Sequence, residues 1–156
     1  MSRNILGLDK KETENLAEKL NGLLANFQIY YQNLRGLHWN IKGKNFFELH
    51  VKFEEFYTDS QVKIDEIAER ILTLQGKPLH TFEDYINLAT VPVGKDISND
   101  VESVKLVVSS LSELLKIERI ILEISDETND EGTNSMMSNF IAEQEKTIWM
   151  LSSWLG

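Results

Sequence analysis

Histidine is scarce in this chain, three in 156 residues, yet His38 and His50 fall within one stretch, LHWNIKGKNFFELHVKFEEF, residues 37–56. A glycine-containing turn lies between them. Imidazole is the commonest side-chain metal ligand and the usual general base near neutral pH. Four residues after His50 comes Glu54, and further on the segment IDEIAERI carries Asp65 and Glu69, again four apart. On a helix an i, i+4 pair shares a face, and the eleven residues from Glu54 to Asp65 make close to three turns. Both pairs therefore lie on nearly one stripe. A single such pair is ordinarily a solvated surface feature. Four ligand-type residues on one stripe point toward a metal.

The stripe carries its own constraint. Eleven residues span ~16 Å of helix axis, whereas a ligand reaches its ion at about 2.0–2.2 Å. One chain cannot join the two pairs into one site. Two copies of the helix, packed antiparallel about a two-fold axis near residues 59 and 60, would bring His50 and Glu54 of one to Asp65 and Glu69 of the other. Symmetry would then make two equivalent sites. His38, at the end of the preceding helix, would join the His50 side. Two imidazoles and three carboxylates suit iron, manganese or zinc, and carboxylates able to bridge favour iron or manganese. A di-metal centre inside one bundle needs a Glu-x-x-His motif from each of two helices. The residues three before the histidines are Arg35, Phe47 and Lys77, so no such centre is expected. His80, beside Pro78, has no partner pair and reads as structural or exposed.

The elements that must hold these groups are helices. Apolar residues recur at three- and four-residue steps in four runs: Leu16 to Leu37, Phe46 to Ile71, Val101 to Ile124 and Met137 to Leu155. That is the period of one helix face. Four helices of roughly 24 to 32 residues would be ~36 to 48 Å long, which suits a bundle. IKGKN and NDEGTN are short polar connections that make antiparallel hairpins. The middle connection, QGKPLHTFEDYINLATVPVGKD, is long, contains both prolines and holds TFEDYINLA as a short helix. The expected fold is all-α: a ferritin-like four-helix bundle with one long crossover, containing a short helix, between the second and third long helices.

Composition narrows the function. A chain of this length is one domain, residues 1–156, with a sizeable core. With no cysteine there is no disulfide, thiolate site or cysteine nucleophile. No leader-like h-region or membrane-length apolar run occurs, so no membrane partner and a cytoplasmic location are expected. A net charge of −9 argues against bulk binding to phosphate backbones.

GLHWNIKGKNFFELHVKFEEFY, DEIAERILTLQGKP and IWMLSSWLG resemble the Dps family of ferritin-like, DNA-protecting proteins, over essentially the whole chain. The resemblance implies a hollow homo-dodecamer that oxidises Fe(II), preferentially with hydrogen peroxide, and stores ferric mineral against oxidative stress. It implies a ferroxidase centre between two-fold-related subunits, with His38, His50 and Glu54 from one chain and Asp65 and Glu69 from the other as iron ligands. The family pattern commonly has Asp where Glu54 stands, which puts metal spacing in question. Trp39 matches an aromatic near the centre, implying a radical-quenching role. In SDETNDEGTN the resemblance places Asp126 and Asp130, with Glu127 and Glu131 beside them, near three-fold pores for iron. A solvated turn with acids at a helix N-terminus is the plainer reading of that segment.

Family members that bind DNA often use Lys/Arg-rich tails. The first eleven residues here offer Arg3, Lys10 and Lys11 against Asp9, and the last stretch, SSWLG, is not basic. DNA binding is expected to be absent or weak, and a DNA-condensing protein with a secondary metal site is the competing reading.

Overall fold

The computed structural model describes residues 2–156, and five helices account for most of them. α1 runs Lys10–Asn40, α2 Phe46–Thr73, α3 Phe82–Leu88, α4 Asp100–Glu127 and α5 Glu131–Leu155. The four long helices have 31, 28, 28 and 25 residues. Side chains set the N-termini: Asp9 accepts from the Glu12 amide, Thr81 from Asp84, Asn99 from Glu102 and Asp130 from Thr133. α5 begins at Glu131, inside the segment expected to be a loop, because Asp130 caps it. α2 stops where Gln75 takes φ 69° and the Gly76 amide reaches back to the Ile71 carbonyl at 2.8 Å. A Cβ on Gly76 would stand 2.7 Å from the Ala17 Cβ, so only glycine fits there.

Hydrogen bonds show the crossover's course. Asn21 of α1 holds Lys77 and Leu79, Asn26 holds Thr90 and Val91, Asn33 holds Pro92 and Gly94, and the Lys42 amide reaches Ser98. The crossover thus climbs the length of α1 and delivers α4 to the end where α2 starts. Asn45 then bonds Asp100 at 2.7 Å. α2 and α4 run parallel, as one long connection in a ferritin-like bundle requires.

The core is the set of facing stripes. Leu16, Leu20, Leu23, Phe27, Tyr30, Leu34 and Leu37 of α1 are all buried, against Phe53, Ile67 and Ile71 of α2. Phe27 also packs edge-on to Phe140 of α5, ring centroids 6.0 Å apart. On α4 the buried seam is Val104, Val107, Leu111, Leu114 and Ile121, whereas Val101, expected inside, is 40% exposed. It lies in α4's first turn, where the bundle no longer covers it.

Candidate metal centre

The IKGKN turn brings the end of α1 over the start of α2. Gly43 takes φ 113°, a backbone conformation that favours glycine, and Ile41 is buried beneath the turn. The result is a crossed pair of histidines. His38 donates Nδ1–H to the His50 carbonyl at 2.6 Å, and His50 donates Nδ1–H to the His38 carbonyl at 2.7 Å. The rings stack with centroids 3.8 Å apart and planes 10° off parallel. Phe46 stacks on the His50 ring at 4.9 Å, and Tyr57 meets the His38 ring edge-on at 5.4 Å.

This arrangement fixes the tautomer. A carbonyl oxygen can only accept, so Nδ1 carries a proton in both rings and Nε2 is the nitrogen left for a metal. Metal-ligating imidazoles characteristically have their other nitrogen tied in this way. His38 is 8% exposed and His50 half-buried, so neither ring swings freely.

Glu54 stands one turn beyond His50 and is exposed. Its neighbour Tyr57 is half-buried; burial first, and then the Glu54 carboxylate, push the Tyr57 phenol above its ordinary value. Asp65 and Glu69 are also exposed, further along α2. No group of three or more His, Asp or Glu among the described residues is close enough to hold a metal ion. The chain alone brings His38 to His50 and leaves Asp65 and Glu69 distant. The same helix carries Phe47, Val51 and Val62 exposed, an apolar content unusual for a solvated face.

Trp39 is exposed, with the Arg35 guanidinium over its ring at 4.9 Å. His80 is exposed and lies 3.1 Å from the Pro78 carbonyl through Nδ1. Asp126, Glu127 and Glu131 are exposed. Asp130, expected beside Asp126 at a pore, is instead 2% exposed and turned into its own chain. It caps α5 through the Thr133 amide at 3.1 Å and pairs with Arg70 Nη2 at 2.6 Å. Its oxygens are already engaged, whereas those of Asp126 face solvent. Arg70, absent from the sequence reading, ties α2 to the α4–α5 turn; no local pattern signals a pair sixty residues apart.

A family model described as a ferritin-like domain matches residues 17–156. A protein of Porphyromonas gingivalis called DNA protection during starvation protein is 42% identical, over 96% of this chain and 94% of that one. An uncharacterized protein of Haemophilus influenzae is 46% identical over 98% of this chain and 96% of its own. The crystal structure of a Dps protein from Vibrio cholerae, described as a member of the ferritin-like diiron-carboxylate proteins, superposes with a TM-score of 0.98. It is 52% identical and covers 100% of this chain and 98% of that one.

Proposed function

Because the chain belongs to the Dps family of ferritin-like proteins, a family of iron storage and stress protection, we propose that it is a ferroxidase working at sites shared between subunits. His38, His50 and Glu54 of one chain and Asp65 and Glu69 of a two-fold mate hold the Fe(II) substrate. The whole chain acts as one ferritin-like domain in a hollow cytoplasmic dodecamer that stores the ferric product. The crossed histidine pair is the observation that carries this reading, since it leaves two Nε2 lone pairs free beside Glu54. The exposed Phe47, Val51 and Val62 support a second copy of α2 as the cover for that face.

The ligand set explains the chemistry. Imidazole and carboxylate bind ferrous ion reversibly, and anionic oxygen ligands stabilise Fe(III) more than Fe(II), which favours oxidation. Two ferrous ions give one electron each to one hydrogen peroxide. The O–O bond breaks, two protons are taken up and two waters form, with no hydroxyl radical released. Asp126, at the solvent-facing end of α4, attracts Fe(II) toward a pore. Trp39, exposed beside Arg35, takes up a stray oxidising equivalent.

Anaerobic Fe(II) oxidation after a hydrogen peroxide pulse tests the reading. Fast oxidation at about two Fe(II) per peroxide is the expected result. A rate no faster than buffer and an inactive protein would return the function to binding or structure.

A further inference from the structure

At the centre of the bundle, away from the histidines, α4 buries a carboxylate that the iron chemistry does not use. Glu118 is 0% exposed, and facing it from α5 is Gln144, 5% exposed. Gln144 Nε2 donates to Glu118 Oε2 at 2.9 Å. The other two oxygens of the pair, Glu118 Oε1 and Gln144 Oε1, are buried with no hydrogen-bond partner. Both are acceptors as long as Glu118 is ionised. Two buried acceptors without a donor are costly, and an unpaired buried carboxylate more so.

No cation meets Glu118 directly. Lys63 of α2 is the nearest positive group, but its ammonium is held by Asp59 and by Glu143, the latter at 2.7 Å. Arg119, next in sequence, points outward to Glu145 at 2.9 Å. Tyr30 of α1 remains neutral, because burial first, and then Asp59 and Glu118, push its phenol far above the ordinary value. The one missing component is a donor, and a single proton supplies it.

The geometry points to Glu118 as a buried proton-binding site: the carboxylic acid, held neutral at physiological pH, donates from Oε1 to Gln144 Oε1 while the Gln144 amide donates back to Oε2. One proton satisfies both orphaned oxygens and makes a two-bond acid–amide link between α4 and α5. The electrostatics agree. Burial pushes the Glu118 carboxyl up to about 8, with Gln144, Lys63 and Arg119 drawing it partly back. The folded value thus stands above the ordinary one, so folding takes up a proton. The stabilisation is complete below about pH 4.5, declines as the unfolded chain ionises and is lost as pH rises through about 8. Above that point a buried carboxylate loosens the α4–α5 seam.

Infrared spectroscopy of the assembled protein from about pH 6 to about pH 9 tests this independently of iron. The wild type is expected to show a protonated carboxylic-acid carbonyl band at neutral pH, disappearing with a midpoint near 8. Glu118→Gln supplies a permanent donor, so its spectrum should lack the band and its melting temperature should lose the corresponding decline with pH. Gln144→Leu keeps the acid without its partner, so the band should change frequency and its midpoint should rise. A wild type with no acid band at pH 6 overturns the assignment without any variant. So does a band that persists unchanged in Glu118→Gln or in Gln144→Leu.

Discussion

His38 and His50 each donate Nδ1–H to the other's main-chain carbonyl, across the turn between α1 and α2. Neither ring is oriented alone. Each imidazole is held by backbone that the other residue supplies, and the pair leaves both Nε2 atoms for the proposed metal.

That mutual hold predicts coupled effects. His38→Ala removes a proposed ligand and releases the His50 carbonyl and ring, and His50→Ala does the converse. Each should weaken Fe(II) binding by about 10- to 100-fold, with the double variant scarcely worse than either single one. Anaerobic Fe(II) titration of the four proteins measures the coupling; strict additivity would mean the rings act independently.

Glu54 is one methylene longer than an aspartate, so arm length and charge can be separated at this position. Glu54→Asp keeps an anionic ligand and should hold the oxidation rate within about tenfold, whereas Glu54→Gln should lower Fe(II) affinity by about 10-fold or more. Stopped-flow oxidation and Fe(II) titration check the two halves. Equal damage from both variants would show that arm length, not charge, governs this position.

Gly132 makes room for Arg70. A Cβ there would stand 2.6–2.8 Å from the guanidinium, which bonds Asp130 and Thr133. Gly132→Ala should therefore push the guanidinium aside, and because that is the mobile end of a flexible side chain the cost should be about 0.5–2 kcal/mol. Arg70→Ala, which removes the partner of a nearly buried carboxylate, should cost more, about 2–4 kcal/mol, and the two should not add. Thermal melts at fixed protein concentration give the comparison.

DNA should not be retained. Residues 2 to 9 fold back on themselves: the Asn4 amide bonds the Leu8 carbonyl and the Lys10 amide the Ser2 carbonyl, at 2.8 and 2.9 Å. Arg3 donates to the Gly7 carbonyl, so this segment's cation is tied locally. In the proposed dodecamer, twelve chains at −9 would amount to a shell charge on the order of −100, which repels phosphate. A gel shift at low salt and submicromolar protein should show free DNA; retention there would contradict the prediction.

The fold was largely legible because period and connection length are local properties. The α1 run from Leu16 to Leu37 is buried as its spacing requires, and the proline-bearing crossover contains its short helix. Boundaries were less so: Asp130 starts α5 earlier than the polar segment suggested, since a cap depends on one side chain's rotamer. The site's residue types and stripe were readable, but the reciprocal histidine bonds were not, because they depend on the exact closure of a turn. The Arg70–Asp130 tie was equally hidden, joining residues sixty apart. One further signal lies in the sequence. Glu118 falls on the spacing of Leu111, Leu114 and Ile121, a core position holding an acid.

The proposed split of the iron ligands between two chains has one direct test. His50→Ala chains and Asp65→Ala chains, each inactive but assembled on its own, are co-expressed and the mixed shells assayed for peroxide-driven Fe(II) oxidation. In a mixed dimer one site loses both ligands and the other keeps the full set. Random mixing should therefore restore about a quarter of the wild-type sites. A site contained within one chain would restore none, and activity no higher than that of the separate variants would contradict the account.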